Sequence, residues 1–197
     1  MTKTLYLTWH GSTLFTSQGK LEGWSDSPLT DEAERQAAAT GRDFFAARGI
    51  RPAHLVSSHA ERACDTLELI SQAAWHEVRS YRRLKGLKDL NFGIYEAKDA
   101  CLAPPAPYGD FFAKFGGELQ GQLAERMRAT ICDLARSLEG ADALVSTHHL
   151  AAAALCATFD EELAQRVRDA APCAVLVLAC DEETDALAAV DLYDPQG

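Results

Sequence analysis

The chain of 197 residues, 47% hydrophobic and 24% charged with 7 prolines, is long enough for one well-buried α/β domain, and its composition excludes disordered and fibrous classes. Nineteen Lys and Arg against 29 Asp and Glu give a formal net charge of −10. Neither nucleic acid nor an anionic membrane therefore finds the basic face it needs, and any phosphate site has to be locally basic.

The first residues, Met1-Thr2-Lys3-Thr4, do not lead into the long apolar run of a secretory leader. No stretch reaches membrane-spanning length either, so a cytoplasmic location is expected. Thr4 to Thr8 reads as a buried strand, and Gly11 to Ser27 as a long loop leaving it. Thr30 is placed to cap a helix whose acidic first turn, Asp31-Glu32, suits the positive end of the helix dipole and which runs to about Arg48, before Gly49. A strand at His54–Ser57 leads to a helix whose start is marked by Ser58 and Glu61 at capping-box spacing, which places Arg62 in its first turn. A third strand is expected near Glu77 to Ser80. A Pro-rich flap near 99–117 follows, whose aromatic residues Tyr108, Phe111, Phe112 and Phe115 read as packing groups in preference to the alternative, a substrate cage. Leu119, Leu123, Met127, Ile131, Leu134 and Leu138 recur at helical spacing. The remaining elements are a strand at Ala143–Ser146, a small-residue helix from His149 to Thr158, a strand at Ala174–Ala179 and an edge strand at Ala186–Leu192. The alternation predicts a three-layer α/β/α fold around a mostly parallel sheet, in one domain over 1–197. The six cysteines have no C-x-x-C or zinc-like pairing and read as buried free thiols.

Ligands of such sheets bind at the carboxyl ends of the strands, where His10, Arg62 and His148 all fall. Two imidazoles, an arginine and a nearby carboxyl group suit phosphoryl transfer. A neutral histidine attacks phosphorus, cationic and hydrogen-bonding groups stabilise its oxygens, and a carboxylic acid protonates the leaving group. This chemistry requires no metal or other cofactor. The adjacent pair His148-His149 does not suggest a metal site, since neighbouring side chains there point apart and no further ligand cluster is evident.

Several segments carry a resemblance that spans nearly the whole chain. They are Trp9-His10-Gly11-Ser12-Thr13, Glu22-Gly23-Trp24-Ser25-Asp26-Ser27-Pro28-Leu29-Thr30, Ser57-Ser58-His59-Ala60-Glu61-Arg62-Ala63-Cys64-Asp65-Thr66, Leu87-Lys88-Asp89-Leu90-Asn91-Phe92-Gly93-Ile94-Tyr95-Glu96 and Val145-Ser146-Thr147-His148. In this order they resemble the histidine phosphatase superfamily, the phosphoglycerate mutase-like proteins, in its small bacterial phosphatase branch. The resemblance implies His10 as the phosphorylated nucleophile, Arg62 and His148 as phosphate-pocket groups, and Asp89 as proton donor and later base. It also implies a pocket lined by Trp9, Gly11, Thr16, Glu22, Gly23 and His149. A small phosphorylated metabolite is the implied partner, and a homodimer is left open. The stretch L-K-D-L-N-F-G stands where a glycolytic mutase has E-R-H-Y-G, which favours a phosphatase.

The departures concentrate in the same pocket. Trp9 replaces the family's first arginine, Thr16 an asparagine, Glu22 a glutamine, Asp89 a glutamate and His149 a glycine. An arginine acting on a phosphoryl transition state contributes about 10³ to 10⁵ in rate, so a ligand-binding member with weakened or no turnover is the alternative reading. Trp9 either fills the arginine's volume or stacks on a ligand. A protonated His149 facing the pocket would restore part of the charge, with activity rising as pH falls toward about 6.5.

Overall fold

The fold comes from a computed structural model that describes residues 2–138 and 142–196. Six strands form one sheet in the order β3-β2-β4-β1-β5-β6. They are β1 (Thr2–Trp9), β2 (His54–Ser58), β3 (Arg82–Leu84), β4 (Asp142–Thr147), β5 (Val175–Asp181) and β6 (Leu187–Tyr193). Pairs β1/β4, β2/β4 and β2/β3 are parallel, whereas β5 runs antiparallel to both β1 and β6. Only β5 is reversed, so the mostly parallel sheet is as expected. Among the described residues no helix is long and apolar enough to cross a membrane.

Strand periodicity sorts the side chains of β1 between two cores. Leu5, Leu7 and Trp9 enter one, with Leu123, Met127 and Ile131 of α4 (Gln120–Ser137), Leu155 of α5 (His149–Cys156) and Leu163 of α6 (Glu161–Asp169). Tyr6 packs edge-on against Phe44 and Phe45 in the other, beneath α2 (Asp31–Thr40) and α3 (Glu61–Trp75). These are the three layers.

Several boundaries differ from the expectations. The loop after β1 holds a one-turn helix, α1 (Leu14–Ser17), capped by Thr13. Thr30 does cap α2, but the helix passes into a π-helical segment, Gly41–Ala46, before Gly49 ends it with φ of 64°. Ser58 does not cap α3. It is the last residue of β2, Ala60 holds the N-cap position without a side-chain bond, and the Ser58 hydroxyl is turned to His148 instead. The third strand lies at Arg82–Leu84, beyond Glu77–Ser80. Helix α6 was not expected; Asp160 caps it by accepting from the Leu163 amide, and Leu163 and Val167 anchor it one turn apart. Five cysteines are buried and free, but Cys101 is exposed. In the flap, Phe112 is fully buried and packs edge-on with Phe92, Tyr95, Tyr108 and Phe111, so this segment is tied to the core by aromatic contacts.

Candidate active site

Strands β1, β2 and β4 end side by side, and the residues that follow them converge. The His10 and His148 rings stand edge to face at 5.1 Å. His10 Nδ1 lies 2.7 Å from the Gly11 carbonyl oxygen, and a carbonyl only accepts, so Nδ1 carries the proton. Nε2 is then left with a lone pair, which accepts from Arg62 Nε at 3.0 Å. Burial, and after it the Arg62 charge, lower the His10 pKa to about 3. His10 is therefore neutral, with the tautomer a nucleophile requires.

Arg62 is fully buried, and all five of its N–H groups are engaged. Besides His10, its guanidinium donates to the Ser25 carbonyl at 2.8 Å, Asp26 Oδ1 at 2.9 Å, the Gly23 carbonyl at 2.8 Å and the Glu22 carbonyl at 3.5 Å. The Glu22 carboxylate adds an ion pair at 3.9 Å. Of these five, the bond to His10 is the one whose release also frees a nucleophilic lone pair. An entering phosphoryl oxygen that takes the Nε–H does both.

His148 is fully buried. Its Nε2 is 2.8 Å from Ser58 Oγ, and among the described residues its Nδ1 has no hydrogen-bond partner. Burial, then Arg62 and His10, hold its pKa well below the ordinary histidine value. Asp89 is almost completely buried, with Oδ1 accepting from the Leu90 amide at 2.9 Å. Burial raises its pKa to about 7, against the opposing pull of Arg62 and the Leu90 amide. The donor atoms of His10, Asp89 and His148 lie within 4.8 Å of one another. Such a grouping also suits a metal ion, so the expectation of no convergent ligand set is corrected here. The fixed Arg62 charge 3.0 Å from His10 Nε2 opposes a cation at that point.

The expected pocket residues divide. Trp9 is 1% exposed, donates from Nε1 to the Ala171 carbonyl at 3.1 Å and stands 5.5 Å from the His149 ring. It fills core volume and does not present a stacking face, because its position in β1 puts it on the side of Leu5 and Leu7. Thr16 is exposed, and its hydroxyl accepts from the Thr13 amide at 2.8 Å in the α1 cap. Glu22 is buried, accepting from the hydroxyls of Thr13 and, at 2.7 Å, Ser27. His149 Nε2 donates to the Val167 carbonyl at 2.7 Å, so its ring is anchored toward α6. Gly11 and Gly23 serve close approach. A Cβ on Gly11 would lie 2.6 Å from Ala33 Cβ, and one on Gly23 would lie 2.0 Å from the Leu90 carbonyl oxygen.

Two positioning residues went unrecognised in the sequence. The Glu96 carboxylate accepts from the amides of Gly23, Trp24, Ser25 and Phe92 and from the Ser25 hydroxyl. It thereby joins the loop that holds Arg62 to the loop that carries Asp89. Arg126 donates to the carbonyls of Gly86, Lys88 and Asp89 while paired with Glu118. An arginine on an otherwise solvent-facing helix position gives no sequence signal for such a clamp. Glu96 did stand inside the quoted motif, four residues beyond Phe92, but its role depends on a contact 73 residues away in the chain.

The model of the histidine phosphatase superfamily (branch 1) matches residues 5–192. A probable phosphoglycerate mutase of Salmonella paratyphi A is 28% identical over 163 residues, covering 78% of this chain and 73% of that protein. Among solved structures, a phosphoglycerate mutase from Bacillus anthracis superposes with a TM-score of 0.82 at 20% identity, over 98% of this chain and 93% of its own. A mycobacterial glucosyl-3-phosphoglycerate phosphatase does so at 0.76 and 21% identity, over 98% and 99%. At these identities the structures speak for the fold alone.

Proposed function

From the premise that this chain belongs to the histidine phosphatase superfamily, we propose that it is a metal-independent phosphatase that hydrolyses a small phosphate monoester through a phosphohistidine on His10. The carrying observation is the pairing of a neutral His10 with a protonatable Asp89 at one buried centre. In the first step His10 Nε2 forms a bond to phosphorus as the ester P–O bond breaks, and Asp89 gives its proton to the departing alkoxide. Asp89, now ionised, takes a proton from water, and the resulting oxygen attacks the phosphohistidine. The P–N bond breaks, orthophosphate leaves, and His10 and Asp89 return to their starting states. Arg62 and His148 face the phosphoryl oxygens during both steps.

One observation favours the second reading, a family member that binds a ligand with little or no turnover. Among the described residues Arg62 is the guanidinium in contact with His10, four of its N–H groups are taken by Asp26 and three carbonyl groups with the Glu22 carboxylate at 3.9 Å, and Trp9 supplies no charge. Release of phosphate from 4-nitrophenyl phosphate by the wild-type protein and His10→Ala separates the two. A rate that drops to background in His10→Ala, with acid-labile, base-stable phosphate on the wild-type protein, is the expected result. Equal rates in both proteins would sink the phosphatase reading.

A further inference from the structure

A groove of about 710 Å³ opens beside the catalytic centre, in the size range of small-molecule sites. The flap residues Ala106–Tyr108, Leu90, the start of α4 and the outward faces of α5 and α6 enclose it. Two of its wall residues adjoin the chemistry in sequence, since Leu90 follows Asp89 and His149 follows His148. A third, Tyr108, is near enough to Asp89 for that carboxylate to raise its pKa, second to burial. The four central residues, His10, Arg62, Asp89 and His148, do not line the groove, which adjoins their site through Leu90, Tyr108 and His149.

Its lining is mainly Leu, Ala and Pro, among them Leu123, Leu150, Ala153 and Ala154. Among the described residues Arg168 is the only Lys or Arg in the lining, and its guanidinium is held by the Glu161 carboxylate at 3.0 Å. An anionic leaving group such as a phosphoglycerate would thus lose its hydration without meeting a free cation there.

Resting on the phosphatase reading above, we propose that this groove takes the alcohol part of the ester, and that this part is an uncharged, mainly apolar alkyl or aryl group. Substrate recognition is then carried by apolar burial beside the phosphoryl centre. On α5 the lining residues Ala153 and Ala154 are small, and a larger side chain at either would narrow this space. Gly121, on the opposite wall in α4, leaves the space open too, for a Cβ there would meet nothing within 4 Å.

The test is a series of n-alkyl phosphates from methyl to octyl, with kcat/KM followed by phosphate release. The expected rise is about threefold to fourfold per methylene until the groove is filled, with 3-phosphoglycerate well below the octyl ester. Gly121→Phe and Ala154→Phe, which fill the groove from opposite walls, flatten the series. A series that is flat in the wild-type protein, or equally steep in both folded variants, overturns the proposal. If no ester is turned over faster than by His10→Ala, the phosphatase reading has failed, and the groove is then tested by calorimetric binding of the same esters. Octyl phosphate binding no tighter than methyl phosphate overturns the groove proposal on its own.

Discussion

Asp89→Asn tests the acid with two independent readouts. The substitution keeps the shape of the side chain and removes its proton. Burial raises the Asp89 pKa from 3.8 to about 7, so the folded protein keeps a proton that the unfolded chain releases at lower pH. The stability contributed by this group is therefore complete below pH 3.8 and is lost as pH rises through about 7. The full difference corresponds to about 4 kcal/mol, of which roughly 3 kcal/mol is lost between about pH 5 and pH 9. Urea unfolding at those two pH values is expected to show the wild-type protein losing that amount relative to Asp89→Asn. In catalysis, general acids contribute about 10² to 10⁴. The variant should lose that factor in kcat/KM on an alkyl phosphate and little on 4-nitrophenyl phosphate, whose leaving group departs without a proton. The wild-type profile on the alkyl ester should fall above about pH 7, and this limb should vanish in the variant. Equal losses on both esters, or a limb near pH 7 that survives in Asp89→Asn, would refute the acid role.

Two further substitutions probe the surroundings of the centre. Trp9→Arg restores the family's charge but places it where an indole is 1% exposed and bonded to the Ala171 carbonyl. Loss of that burial is expected to lower stability by about 3 to 5 kcal/mol, read from the urea midpoint, and wild-type stability together with a large gain in activity would show that the position faces the pocket. Gly23→Ala forces a methyl to 2.0 Å from the Leu90 carbonyl, while the Gly23 carbonyl accepts from Arg62 at 2.8 Å. The loop has to shift, so a destabilisation of about 1 to 3 kcal/mol and a drop in kcat/KM of about tenfold or more are expected; an unchanged protein by both measures would refute the close-approach account.

The layers were legible because strand and helix periodicities are local. Leu5, Leu7 and Trp9 alternate with Tyr6 and Thr8, and that pattern alone assigns Trp9 to the side of the core helices. The family pattern leaves Trp9 either filling the arginine's volume or stacking on a ligand, and the strand's own alternation decides for the first. At Ser58 the local signal misled. Its spacing to Glu61 satisfies a capping box, but β2 extends through it and the buried His148 needs a partner for Nε2. Helix α6 went unseen because it is short and two-thirds polar, and only Leu163, Ala164 and Val167 are buried. The convergence of His10, Arg62 and His148 followed from topology, since their strands are neighbours in the sheet. The saturation of Arg62 did not, because its partners are mostly backbone carbonyls in a loop whose path Glu96 sets.

These observations split the site into two halves that have changed unequally. The proton-handling half is poised: His10 is neutral with Nε2 directed at Arg62, and Asp89 holds a proton near neutral pH. The anion-binding half is weaker, with one guanidinium facing Asp26 at 2.9 Å and Glu22 at 3.9 Å, both carboxylates. A phosphate dianion therefore brings less binding energy to this centre than two free arginines would provide. Binding to a remote, non-reacting part of a substrate can offset such a loss when it positions the reacting group. The apolar groove is the part of this molecule that offers it, and at about 25 cal/mol per Å² the burial of some 150 Å² of alkyl or aryl surface supplies roughly 4 kcal/mol. That is comparable to a factor of 10³, the lower end of what an arginine contributes in phosphoryl transfer. Small, polar phosphate esters, which leave the groove empty, should accordingly be the poorest substrates, and the dependence on leaving-group size should be steepest when Arg62 is weakened further by Arg62→Lys.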